Sequence, residues 1–173
     1  MSLIQKIFQP NRVIFERAEC AGNPKFIPQN RCTFKPVGPN ILSIDIFAKL
    51  IRSLKNVQLH ATVYYSYNGI TFTKFPIDVW ESLCDYHKGK WQPIIEMFYY
   101  NLRPFWNVNH PCPYSDNITL HIDKYAINDF SVGQILPSGR YRFFANLTEG
   151  RKRDFVWSIQ LFIEISDHRV HGF

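Results

Sequence analysis

Near the end of the chain, Phe155, Trp157, Ile159, Leu161, Ile163 and Ile165 recur at every second position, with Ser158, Gln160 and Glu164 between them. Successive strand residues point to opposite faces, so this spacing makes a strand with one apolar face that something must cover. The same period returns upstream. Leu42, Ile44, Ile46, Ala48 and Leu50 alternate with Ser43, Asp45 and Lys49; Val57, Leu59, Ala61, Val63 and Tyr65 alternate with Gln58, His60 and Thr62. Ile118, Leu120 and Ile122 alternate with Thr119, His121 and Asp123, while Tyr141, Phe143, Ala145 and Leu147 share a face that excludes Asn146. Residues 13–19 and 30–35 are shorter strand candidates. Asn68-Gly69 predicts a tight type I′ turn, with a return strand over 70–76 that reaches an edge or breaks at Pro76. Strands this short and this regularly spaced predict an all-β fold, a two-sheet antiparallel β-sandwich of about eight strands.

One stretch breaks the period. Pro93 can open a helix, and Ile94, Ile95, Met97, Phe98 and Leu102 follow near helical spacing until Pro104 ends the run. This predicts one short helix between Cys84 and Cys112. If those cysteines are joined, the segment is a tethered flap whose apolar face rests on the sandwich.

Four cysteines permit three pairings, and spacing alone does not choose among them. The local pairing, Cys20 with Cys32 and Cys84 with Cys112, is the expectation; Cys20 and Cys32 lie at the ends of a Gly-, Asn- and Pro-bearing connection. Asn117-Ile-Thr and Asn146-Leu-Thr fit the N-glycosylation sequon. Together these features point to a secreted, extracellular protein, although residues 1–10 do not read as a signal peptide.

The net charge of +6 is dispersed; only Arg151-Lys152-Arg153 forms a tight cluster, between two strand patterns, where a solvated hairpin tip is expected. Nucleic acid is therefore not an expected partner. No apolar run approaches the roughly 20 residues of a membrane helix, so the chain is not expected to span a membrane. Cys84-x-x-His87 and His110-x-Cys112 together offer two thiolates and two imidazoles, but oxidised cysteines bind no zinc, and no metal or cofactor is expected. No nucleophile elbow, metalloprotease helix or phosphate-cradling Gly-rich loop is present, so the chain reads as a non-enzyme with no catalytic residues.

Cys84, the helix-like run, Asn107-x-Asn-His-x-Cys-Pro113 and Leu136-Pro-x-Gly-x-Tyr141 form a familiar pattern. Over about residues 13–165 the chain resembles an insect-expanded family of uncharacterised secreted proteins related to the chemosensory CheB proteins. More remotely, it resembles the ML lipid-recognition proteins, such as the ganglioside activator. The resemblance implies an immunoglobulin-like sandwich holding a lipid or other apolar small molecule between its sheets, with an extracellular role in pheromone or taste chemistry and no catalytic residues. Ser82 and Arg140 depart from the family pattern, in which acidic residues are common at both places.

The resulting expectation is a single domain over 13–165 with tails at 1–12 and 166–173, acting as a secreted carrier of an apolar ligand. Leu59, Val63 and Tyr65 on the hairpin, Phe143 and Leu161 on the closing strands, and Ile95, Phe98 and Leu102 on the flap are the candidate lining residues. The alternative is a solid sandwich without a cavity, an extracellular interaction module that modulates a membrane receptor or channel.

Overall fold

The computed structural model describes residues 12–38, 41–88, 91–93, 95–96, 100, 103–107, 110–127 and 136–166. They form two antiparallel sheets, an immunoglobulin-like β-sandwich. The strands are β1 (Arg12–Gly22), β2 (Gln29–Gly38), β3 (Ile41–Lys49), β4 (Val57–Ser66), β5 (Thr73–Ser82), β6 (Thr119–Ile127), β7 (Gly139–Glu149) and β8 (Asp154–Ser166). Their order is β1-β8-β7-β4-β5 in the larger sheet and β2-β3-β6 in the smaller. Register in the larger sheet follows the apolar stripes: Val63 opposes Phe143 and Phe143 opposes Leu161, while Leu59 opposes Leu147 and Leu147 opposes Trp157. A slip of one residue would turn every stripe to solvent, so burial itself fixes the pairing.

The two open sides of the sandwich are closed differently. β1 and β2 approach one another and are stapled by Cys20–Cys32, with Cα atoms 5.9 Å apart. β5 and β6 do not meet in this way, and described residues of the segment between Cys84 and Cys112 bond to each of them. Those cysteines are joined, with Cα atoms 4.8 Å apart.

The flap is less regular than a single helix. It begins with a 3-10 turn at Leu83–Lys88 and carries a second at Arg103–Phe105. Between them, Pro93, Ile95, Glu96 and Tyr100 are helical, and the Ile95 and Glu96 N–H groups both donate to the Gln92 carbonyl. Met97, Phe98 and Leu102 lie outside the described residues.

The Asn68-Gly69 turn also differs from the two-residue type expected. Pairing stops at Tyr65 with Thr73, so residues 67–72 form a longer loop and β5 starts three residues later than the periodicity suggests. The Asn68 side chain causes this. Its Oδ1 accepts from the Ile70 and Thr71 N–H groups and from the Ser66 hydroxyl, which in turn accepts from the Gly69 N–H. A short polar side chain here outcompetes the ladder for backbone donors. Pro76 lies in an edge strand next to a register shift, where a missing ladder donor is tolerated.

Among the described residues, both ends of the sandwich carry packed side chains. At the end bearing the β7–β8 turn, Ile27, Leu50, Leu54, Val57 and Val156 are almost fully buried. At the other, Tyr141 is 1% exposed and packs with Tyr65 and Phe75. The Tyr141 hydroxyl donates to the Pro137 carbonyl at 2.6 Å and the Tyr65 hydroxyl to the Ser138 carbonyl at 3.0 Å. Gly139 lies between, at φ +147°, where an added Cβ would run into the Tyr65 ring. The Pro-x-Gly-x-Tyr segment is thus a corner that plugs one end of the fold.

Candidate functional site

Between the two sheets lies a partly open apolar cavity of about 250 Å³. Its origin is visible in the sequence of the strands. Ala61 of β4 directly opposes Ala145 of β7, and Ala48 of β3 looks across from the other sheet. Sandwich cores depend on large inward side chains to fill the roughly 10 Å between sheets, and three alanines leave a gap. The surrounding wall is aliphatic and aromatic: Phe15, Ile159 and Leu161 from the larger sheet, Ile46, Ile122 and Tyr125 from the smaller. Among the described residues no lysine, arginine, aspartate or glutamate lines it, and Thr62 and His121 are polar members of the lining. Burial pushes the Tyr125 phenol up to about 12, so it is neutral at physiological pH and adds no charge.

The flap supplies the remaining wall through Leu83, Trp91, Ile95 and Trp106. Each end is tied to an edge strand. On the β5 side, the Trp91 indole N–H donates to the Ser82 carbonyl and the Gln92 N–H donates to Glu81 Oε1 at 2.7 Å. On the β6 side, Trp106 bridges to Ile122. Asn107 then behaves as a short strand of its own: its N–H donates to the His121 carbonyl, its Oδ1 accepts from the His121 N–H at 2.8 Å, and its Nδ2 donates to the Thr119 carbonyl. The first Asn of the Asn-x-Asn-His motif therefore occupies the backbone groups of an otherwise open sheet edge.

Replacing Asn107 with Ala removes both side-chain bonds. A net hydrogen bond contributes about 1 kcal/mol, so the expected loss is on the order of 1–2 kcal/mol, with hydrogen exchange at the His121 amide accelerated beyond the global change. Unaltered His121 protection would contradict the clamp.

Of the expected lining residues, the structure brings Leu59, Val63, Phe143 and Leu161 from the larger sheet and Ile95 from the flap to the cavity. Tyr65 lies off it, in the aromatic plug, because its hydroxyl is drawn to the Ser138 carbonyl. Phe98 and Leu102 fall outside the described residues. Sequence reasoning missed Trp91, Trp106 and the three alanines. The signal for the alanines was present as small residues on inward strand positions, but its consequence depends on which strands face each other.

Asn117 is exposed at the turn before β6, at φ 66°. Asn146 is half-buried on the outer face of β7, between His60 and Ser158 of the neighbouring strands. Among the described residues, no helix is long and apolar enough to cross a membrane.

A model of the family described as "protein of unknown function (DUF1091)" matches residues 59–143. No curated protein matches the chain. Among solved structures, chicken MD-1 complexed with lipid IVa aligns at 14% identity and a TM-score of 0.43, over 91% of this chain and 99% of that one. A Niemann-Pick type C2 protein from Japanese carpenter ant aligns at 11% identity and a TM-score of 0.37, over 92% of this chain and 96% of that one.

Proposed function

We propose that the protein is a secreted, non-enzymatic carrier that holds one small, uncharged apolar molecule between its sheets, in chemosensory or pheromone-related signalling, and presents it to a membrane receptor or channel. The cavity is the observation that carries this reading. A void of that kind left empty forgoes up to about 6 kcal/mol relative to a filled core, at roughly 24 cal/mol per Å³, which rivals the net stability of a domain. A solid interaction module has no use for such a gap. Both disulfides fit an oxidising compartment, and glycosylation at Asn117 and Asn146 belongs to the same proposal.

Size and polarity narrow the ligand class. An apolar cavity of ~150 Å³ takes benzene, so one of about 250 Å³ takes on the order of ten heavy atoms. That is the scale of a monoterpene, a medium-chain alcohol or a short ester, well below a two-chain phospholipid. A full charge inside would be desolvated without a partner, which disfavours carboxylate ligands.

The test is displacement of a naphthalene-sized fluorescent probe. Uncharged alcohols and esters are expected to compete at least tenfold better than the carboxylates of equal length, and dispersed phospholipid not at all. Absence of probe uptake by the folded protein would contradict the carrier reading, and preference for carboxylates would contradict the assigned ligand class.

A further inference from the structure

The outer face of the larger sheet, turned away from the cavity, carries a row of side chains in which cations and aromatic rings alternate. The cross-strand register sets Arg17 beside Phe162, Phe162 beside Arg142, Arg142 beside Tyr64, and Tyr64 beside Lys74, one residue from each of the five strands. Phe162 is 5% exposed although it faces outward, because guanidinium groups cover its ring. Arg17 Cζ stands 3.8 Å and Arg142 Cζ 5.2 Å from the centre of that ring, and Arg142 is also stacked 4.0 Å from the ring of Phe72.

The charges around this row are paired except at its middle. Glu19 meets Arg17 at 3.3 Å, Asp78 meets Lys74 and His60, and Glu16 and Glu164 meet Arg140 at 3.3 and 3.9 Å. Among the described residues, Arg142 has no carboxylate within ion-pairing distance and donates no hydrogen bond. Its Nε is buried without a partner, whereas its terminal nitrogens are neither bonded nor buried and so reach solvent. A guanidinium remains protonated in any protein environment, and one packed against two aromatic rings is restricted in the directions its donor edge can take.

We propose that Arg142 is the centre of an oxoanion-binding site, taking a carboxylate, sulfate or phosphate group that accepts hydrogen bonds from its exposed donor edge. Phe72 and Phe162 hold the fork in place, and the flanking Arg17 and Lys74, each paired with its own carboxylate, leave Arg142 as the unpaired cation of the row. The group comes either from a small soluble anion or from an anionic lipid headgroup. The site is separate from the apolar cavity, which lies on the opposite face of the same sheet.

The test follows the backbone amide resonances of residues 72, 142 and 162 in the full-length protein, which every variant retains, while inorganic phosphate is added at constant ionic strength. Flotation with vesicles of phosphatidylcholine alone, or mixed with phosphatidylserine, runs in parallel. A saturable shift is expected with phosphate, weakened at least tenfold in Arg142→Gln and severalfold in Arg142→Lys, which keeps the charge but loses the fork. Arg153→Gln, stacked on Trp80 elsewhere on the face, is expected to titrate like the unaltered protein. Phosphate binding with no selective flotation on phosphatidylserine identifies a soluble anion; both together identify a headgroup. Amide signals around residue 142 that are indifferent to phosphate overturn the site, and so does a titration that Arg142→Gln leaves unchanged. Should Arg142→Gln not fold, Phe72→Ala, in the loop, removes one face of the stack and is expected to weaken the shift.

Discussion

Ala145→Phe is expected to abolish uptake of a small apolar ligand while leaving the protein as stable as before, or more stable. Ala145 sits at the centre of the cavity wall, opposed across the ladder by Ala61. A phenyl ring placed there occupies the space that a benzene-sized guest needs, more than half of the 250 Å³. Binding should weaken at least tenfold, about 1.4 kcal/mol, and more if the ring fills the middle of the void. Burying the ring adds about 1.5–3 kcal/mol of favourable transfer, offset in part by any strain of fit. Ala61→Phe enters the same space from the neighbouring strand and is the companion if one site packs poorly. The pairing of effects separates a ligand cavity from a packing flaw: probe titration and denaturant unfolding on the same preparation should move in opposite directions. Undiminished binding in both variants would place the ligand elsewhere.

The second large effect is expected from Cys84→Ser/Cys112→Ser. These residues are 28 apart in sequence, and in the chain-entropy model releasing a loop of that length costs about 3.5 kcal/mol. The loop in question holds Trp91, Ile95 and Trp106 against the cavity, so its release should also open the β5–β6 side and speed ligand dissociation. Cys20→Ser/Cys32→Ser provides the contrast. That bridge closes a shorter loop, worth about 3 kcal/mol, on the side where β1 and β2 meet, and neither cysteine lines the cavity. Both pairs should lower the denaturation midpoint, but only the Cys84–Cys112 pair should raise the ligand off-rate by itself. Equal off-rates in the two variants would remove the flap from the account.

Much of the sandwich was legible in the chain because period two is a local signal. Phe143, Leu161 and Ile163 had to share a face whichever strands flanked them, and the structure places them together. The cysteine-bounded flap could be placed for a related reason: Pro93 and Pro104 mark where a helical run can start and stop. What escaped the sequence depends on partners distant along the chain. Tyr65 carries the same inward pattern as Val63, but its hydroxyl finds the Ser138 carbonyl and leaves the cavity for the plug. Asn68-Gly69 forms a longer loop because Ser66 and Asn68 side chains capture its backbone donors. Phe162 breaks the alternation of the last strand as an outward apolar residue, and only the cross-strand register reveals the arginines that cover it. The alanines mean nothing singly; Ala48, Ala61 and Ala145 become a cavity only when two sheets bring them to one place.

The most direct measurement of the central claim is native mass spectrometry of protein secreted from insect cells under a supplied signal peptide, paired with organic extraction of the same sample. One bound uncharged apolar molecule per chain is expected, on the order of ten heavy atoms as the cavity volume requires, absent from the Ala145→Phe variant. Protein that emerges empty, and stays empty when offered a panel of terpenes, alcohols and esters, would contradict it.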